Sequence, residues 1–207
     1  MVLVTSGRDR PAKPFLTWFK TELESAQVIR KGNYWYMVHP LLDGMGMDPD
    51  MMDLLAERVG LIADDEIGDV HYIVTPEAMG IPLAMAVSQF TRVPVNIVRK
   101  REYGLLHEVM FETTTGYSSS RLYLNIPAKA KVYIVDNILS TGGTLDGLIK
   151  ALIQREAAIL GVTVMVDKGD ALKRLESRYC VPIKALAKVE VGKQGVKVKQ
   201  LEGKAVR

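Results

Sequence analysis

Apolar positions change their spacing along this chain, and each change marks the border of an element. Two apolar runs, "HYIVT" (71–75) and "KVYIVD" (131–136), read as strands, and the second is a continuous β-branched run, the pattern of a strand covered on both faces. Each is followed by apolar residues at helical spacing, "GIPLAMAVSQF" after the first and "GTLDGLIKALIQREA" after the second. "PVNIVRK" (94–100), "RLYLN" (121–125), "AILGVTVMVDK" and "PIKALAKV" read as further strands. "GVKVKQ" near the end alternates apolar and basic residues, which predicts an edge strand with its lysines in water. Upstream, "FLTWFKTELESAQVI" predicts a short amphipathic helix and "YWYMV" a strand. "DPDMMDLLAERVGLIADD" predicts a helix opened by Asp48 with Pro49 in its first turn. The alternation from residue 71 onward predicts an α/β fold, a doubly wound and mostly parallel sheet with helices on both faces. Residues 1–14, with Pro11, Pro14 and several charges, precede any periodic pattern and read as a mobile arm; residues 15–207 read as one domain.

Composition narrows the class of function without choosing one. The 207 residues are 48% hydrophobic and 25% charged, enough to bury a core. The net charge of +3 gathers largely in the lysine-rich tail after Lys184, so it makes no case for nucleic acid and suits a small anionic substrate equally well. Cys180 is the only cysteine, which excludes an internal disulfide or a multi-cysteine metal site and suits a reducing, cytoplasmic setting. The first fifteen residues lack the apolar core of a secretory signal, and no stretch has the roughly eighteen consecutive apolar residues of a membrane span. His39, His71 and His107 show no metal-ligand spacing, and no Gly-x-Ser-x-Gly elbow is present.

The candidate chemistry lies in "VYIVDNILSTGGT" (132–144), where a buried strand ends on Asp136 and Asn137 and breaks into Ser140, Thr141, Gly142, Gly143 and Thr144. In a parallel sheet, ligands gather where strand ends lead into helix starts. Hydroxyls, two glycines that admit close approach and the first N–H groups of a helix beginning near Gly143 make a cradle for a phosphate. A tight turn with a threonine cap is the other reading of the same residues. No Gly-Lys-Ser/Thr follows the glycines and the dinucleotide fingerprint is missing, which counts against ATP hydrolysis and NAD chemistry. Arg99, Lys100 and Arg101 form a basic run where a strand gives way to the long stretch 101–118, a reading open between a solvated run and an anion contact. That stretch is longer than a structural linker needs to be, as lids often are.

These residues resemble type I phosphoribosyltransferases. "VYIVDNILSTGGTL" is similar to the family's signature of an apolar strand, two acids and a Thr-Gly-Gly-Thr loop. "VTPEAMGIP" (74–82) resembles its pyrophosphate loop, and "VRKREYGL" (98–105) the strand end and mobile hood of its purine branch. With "TGYSSSRLYLN" and "VMVDKGD", the likeness runs from about Val28 to Val191 and is nearest to the archaeal hypoxanthine/guanine group. The resemblance implies a small hood built from N-terminal and C-terminal segments, near 28–48 and 168–191. It implies transfer of phosphoribosyl from phosphoribosyl pyrophosphate (PRPP) to hypoxanthine or guanine, with Mg²⁺ held mainly through PRPP rather than directly by protein, and a homodimer. By resemblance, Asp136 and Asn137 would hold the ribose, Ser140 to Thr144 the 5-phosphate, and Glu77, Ala78, Met79, Gly80, Arg99 and Lys100 the pyrophosphate. Lys168 would donate to a 6-oxo group, and Met37 would touch the base. Asn137 stands where most of the family has a second acid. That departure keeps open a weakly catalytic protein that senses PRPP or a nucleotide, while an adenine or xanthine enzyme is the alternative within the same class.

Overall fold

The structure is a computed structural model that describes residues 15–63, 67, 69–114 and 119–202; the arm predicted over 1–14 lies outside the described residues. Ten strands and six helices are named here in chain order. Helix α1 (Phe15–Glu24) leads into a hairpin of β1 (Gln27–Lys31) and β2 (Tyr34–Val38), then α2 (Pro40–Asp43) and α3 (Pro49–Ile62). Strand β3 (Tyr72–Pro76), α4 (Gly80–Thr91) and β4 (Val95–Val98) follow, and then the hairpin β5 (Glu108–Thr114) and β6 (Ser119–Asn125). The chain closes with β7 (Lys131–Leu139), α5 (Gly143–Gln154), β8 (Ala158–Asp167), α6 (Ala171–Tyr179), β9 (Ile183–Gly192) and β10 (Gly195–Leu201).

Six strands form one sheet in the order β10-β9-β8-β7-β3-β4, parallel throughout except for the antiparallel β9–β10 pair. From β3 the chain winds outward to β4, and from β7 it winds the other way to β8 and β9. The strand order therefore reverses between β3 and β7, and a crevice opens at their carboxyl ends. β7 is buried on both faces, as its β-branched run predicts. Tyr133 and Val135 point into a core with α1, α3 and α4, while Val132 and Ile134 point into a second core with α5, α6 and the β5–β6 hairpin.

Three predicted boundaries shift. The first helix stops at Glu24, and the residues after it enter β1, whose register pairs Val28 with Met37 and Ile29 with Tyr36. The stretch 101–118, read as a loop, holds strand β5, because Val109 and Phe111 alternate inward against the second core and β6 supplies a ladder partner. Of the two expected hood segments, the first forms the β1–β2 hairpin and α2. The second spans α6 and most of β9, a strand of the central sheet. Asp48 caps α3 by accepting from the Asp50 N–H at 2.9 Å, with Pro49 in the first turn as predicted.

Both borders of the large sheet are dressed. Beyond β4, the Asn96 side-chain amide donates to the Asn125 carbonyl at 2.7 Å, and Arg99 and Tyr123 form a β-bridge, so β6 leans on that side. On the far side, β10 carries exposed Lys197 and Lys199 and a register break between Val198 and Gln200. Among the described residues no helix is long and apolar enough to cross a membrane.

Candidate active site

A pocket of about 320 Å³ occupies the crevice where β3 and β7 end. Its floor is the end of β7, Asp136 to Leu139, and one side is the loop from Ser140 to Thr144. The opposite side is Pro76 to Met79, and Tyr34, Tyr36, Met37, Leu42, Asp43 and Lys168 close it from above.

The Ser140–Thr144 loop has the geometry of an anion cradle. Gly142 sits at φ +81° ahead of α5, and no side chain caps the helix start, so the threonine-cap reading does not describe it. The first residues of α5, Gly143 to Leu145, line the pocket, and a helix start leaves its first N–H groups without intrahelical partners at the positive end of the helix dipole. Gly142 also packs against α6: a Cβ there would lie 2.8 Å from the Ala171 Cβ and 3.0 Å from the Leu175 Cδ1. The Arg174 guanidinium donates to the Thr141 carbonyl at 2.8 Å from the same helix. α5 and α6 are tied by Asp146, which accepts from Tyr179 Oη at 2.7 Å, Arg178 at 3.0 Å and Lys150 at 2.6 Å. Burial would raise the Asp146 carboxyl, but these three donors hold it below its ordinary value.

Asp136 lies at the pocket floor, partly buried. Burial pushes its carboxyl up to about 7, against the lowering effect of the Asn137 backbone N–H, which donates to Oδ1 at 2.8 Å. The Asn137 side chain is engaged by protein on both ends: Nδ2 donates to the Leu42 carbonyl at 3.0 Å, and Oδ1 accepts from the Ile138 N–H at 2.8 Å.

The Pro76–Gly80 loop is held from β4. The Glu77 N–H donates to the Val98 carbonyl at 2.9 Å, and the Glu77 carboxylate accepts from the Lys100 N–H at 2.9 Å; the Glu77–Ala78 peptide is cis. Gly80 opens α4 directly beneath Asp136. A Cβ on Gly80 would lie 2.3 Å from Thr75 Oγ1 and 2.8 Å from Asp136 Oδ1. Thr75 is fully buried, and its hydroxyl has no hydrogen-bond partner among the described residues.

The structure therefore gathers most of the expected site residues around one pocket: Asp136, Asn137, Ser140 to Thr144, Glu77 to Met79, Lys168 and Met37 all line it, with Gly80 just below. Arg99 and Lys100 do not line it. Both are exposed, and they adjoin the Glu77 loop through the Lys100 backbone.

Sequence reasoning missed Tyr34 and Tyr36. Tyr34 Oη lies 2.8 Å from Ser140 Oγ, its ring meets Tyr36 edge-on at 4.8 Å, and the Lys168 ammonium sits 3.7 Å from its ring centroid while donating to the Trp35 carbonyl. The signal was present in "YWYMV", where an i, i+2 spacing puts both tyrosines on one face of a strand.

Known proteins place the same architecture in a family. The model of the phosphoribosyl transferase domain matches residues 41–200. The chain is 38% identical over 190 residues to a hypoxanthine/guanine phosphoribosyltransferase of Methanohalobium evestigatum, covering 91% of this chain and 98% of that one. It is 42% identical over 178 residues to the enzyme of the same name from Ferroglobus placidus, covering 85% and 93%. Among solved structures, adenine phosphoribosyltransferase from Thermoanaerobacter pseudethanolicus superposes with a TM-score of 0.69 at 20% identity, over 84% of this chain and 99% of that one. The Trypanosoma brucei adenine enzyme superposes with a TM-score of 0.70 at 14% identity, over 86% and 81%. At such identities the structural likeness speaks for the fold.

Proposed function

The chain belongs to the phosphoribosyl transferase domain family, and from that premise we propose that it is a hypoxanthine/guanine phosphoribosyltransferase of purine salvage. PRPP and the purine give IMP or GMP and pyrophosphate. The observation that carries this reading is the uncapped start of α5 lining the same crevice as a partly buried carboxyl and a lysine ammonium. One pocket then offers a phosphate cradle, an acceptor for ribose hydroxyls and a donor for the base.

Displacement at the anomeric carbon develops positive charge on the sugar and negative charge on the departing pyrophosphate. In this reading the Ser140–Thr144 loop fixes the 5-phosphate, and Asp136 accepts from the ribose hydroxyls and faces the developing cation as a carboxylate. The backbone of Glu77 to Gly80, with Arg99 and Lys100 beside it, receives the pyrophosphate. The tyrosine-bearing hairpin, with Met37 and Leu42, excludes water that would otherwise capture the cation.

Lys168 supports a 6-oxo purine. An ammonium has only donors, and one of its three is taken by the Trp35 carbonyl. The remaining donors match an oxo group at position 6, whereas the 6-amino group of adenine would present a donor to a donor. Lys168→Met is expected to raise the KM for hypoxanthine and guanine by about 10-fold to 100-fold, as the loss of a charged hydrogen bond does. The KM for PRPP should stay near that of the wild type in the same steady-state assay.

The family reading implies Mg²⁺, and the donors present suit it in one way only. The pocket's carboxylates, Asp43, Glu77 and Asp136, are hard oxygen donors, but among the described residues no cluster of three or more His, Cys, Asp or Glu could hold a metal by itself. The ion would therefore be held mainly by PRPP oxygens, with Asp136 and Glu77 as its protein neighbours. When bound, it neutralises charge on the pyrophosphate.

The test is an assay of the purified protein with PRPP, Mg²⁺ and each of hypoxanthine, guanine, xanthine and adenine, with nucleotide product resolved by chromatography. IMP and GMP are the expected products. Turnover confined to adenine, or tight PRPP binding with no turnover on any base, overturns the reading. We place the enzyme in the cytoplasm, in keeping with its single cysteine, and as a homodimer that sedimentation velocity would detect.

A further inference from the structure

Asn137 interrupts the pair of acids at the end of the ribose strand, and its hydrogen bonds say what it does there. Resting on the reading of the site given above, we infer that Asn137 is a positioning residue: its side-chain amide fastens α2, and with it the pocket wall of Leu42 and Asp43, to the end of β7. Asp136 alone then faces the ribose.

The side chain is 9% exposed and satisfied at both ends, by the Leu42 carbonyl and the Ile138 N–H. Leu42 belongs to the last turn of a four-residue helix, where carbonyls have no intrahelical donor. Among the described residues its partner is the Asn137 amide, 95 residues away in the chain. The rest of α2 is equally committed. His39 Nδ1 accepts from the Leu41 N–H at 3.2 Å, the Asp43 carboxylate accepts from the His39 N–H at 2.8 Å, and Leu41 and Leu42 are each 1% exposed. Just beyond α2, Gly44 turns through φ +71°, so close to Met79 of the pyrophosphate loop that a Cβ would lie 3.2 Å from its methyl carbon. The short helix is thus gripped between the ribose strand on one side and the pyrophosphate loop on the other, and Asn137 is the polar half of that grip.

The chemistry requires an amide. A carboxylate accepts only, so aspartate at 137 would turn a charged oxygen toward the Leu42 carbonyl oxygen in place of an N–H. An ionised acid there cannot make the bond that holds α2, and it adds like charge beside Asp136. Restoring the two-acid pattern therefore harms this chain, whereas a reading of Asn137 as a weakened ribose acid expects the change to help.

Asn137→Asp and Asn137→Ala, compared with wild type in the full chain, separate the two. kcat and both KM values are read in the transferase assay, and Tm is read by calorimetry. The expected order of kcat/KM and of Tm is wild type, then Ala, with Asp equal to Ala or below it. The loss for Asp is at least about 10-fold, the usual effect of removing one partner of a buried hydrogen bond. In the alanine variant, whose charge is unchanged, the purine KM rises more than the PRPP KM, because the loosened wall follows directly on β2, whose Met37 the reading of the site sets against the base. N137D with wild-type or higher kcat/KM and unchanged Tm overturns the inference. So does N137A with a raised PRPP KM and an unmoved purine KM, the signature of a lost ribose contact. If the wild-type protein turns over no purine, the functional reading fails instead, and the Tm order of the two variants still decides the clamp.

Discussion

Asp136→Asn is expected to lower kcat by about 100-fold to 1000-fold, the range for removing one preorganised electrostatic group, and at the same time to stabilise the fold. The two effects share one cause. The carboxyl sits where protein displaces water, and burial pushes it up to about 7 from the ordinary 3.8. The folded state thus binds a proton on Asp136 more tightly than the unfolded chain does, so ionisation weakens folding. That penalty is absent below about pH 4, grows between about 4 and 7, and is full above about 7. The rise of the carboxyl from 3.8 to about 7 sets a ceiling of about 4 kcal/mol on that penalty. Asparagine keeps an acceptor for the Asn137 N–H and never ionises. Its Tm should therefore exceed that of the wild type by roughly 5–10 °C at pH 8 and by little at pH 4.5, read by calorimetry at both pH values. The catalytic counterpart is a wild-type kcat/KM for PRPP that rises with pH to a plateau above about 7, as the carboxylate forms in the free enzyme. A D136N protein that keeps wild-type turnover, or whose Tm advantage does not depend on pH, would contradict the assignment of that carboxyl.

Gly80→Ala carries the second large effect, and it acts through space alone. The new methyl would sit 2.3 Å from Thr75 Oγ1 and 2.8 Å from Asp136 Oδ1. Neither neighbour can yield cheaply. Thr75 is fully buried in the strand before the loop, and moving Asp136 displaces the carboxylate on which the reaction depends. Overpacking of this kind costs about 1–3 kcal/mol in stability. A shift of about 1 Å between reacting groups costs about 100-fold in rate, and a drop of at least that size in kcat/KM for PRPP is expected. The double variant Gly80→Ala with Thr75→Ala returns the space and should recover part of both losses. A double variant no better than the single one would show that the clash is not the cause.

How much of this was legible in the sequence depends on the range of the interactions involved. The strands of the crevice were readable because their burial is written in apolar, β-branched residues, and the Ser140–Thr144 loop because its glycines and hydroxyls are contiguous. Asp136 and Ser140 to Thr144 follow from those two local patterns, and the Glu77 loop from its likeness to the family's pyrophosphate loop. The pocket roof does not. Tyr34 meets Ser140 across 106 residues and Lys168 across most of the chain, contacts that exist only once the hairpin has folded over the sheet. Asn137 was visible as a departure, but its partner, the carbonyl of Leu42, belongs to a backbone group that no side-chain pattern reports. The basic run at Arg99 and Lys100 shows the opposite limit: charge in the sequence marks a neighbourhood, and the fold leaves those side chains on its rim.

The dressed borders of the central sheet bear on how copies of this protein can meet. With β6 laid against β4 on one side and lysines on a broken register along β10 on the other, neither border offers an open ladder of N–H and C=O groups to another chain. A continuous intersubunit sheet through either border of the central sheet is thereby disfavoured. Self-association that avoids those two borders would rest on side-chain complementarity rather than on backbone hydrogen bonding, and single surface substitutions would dissolve it.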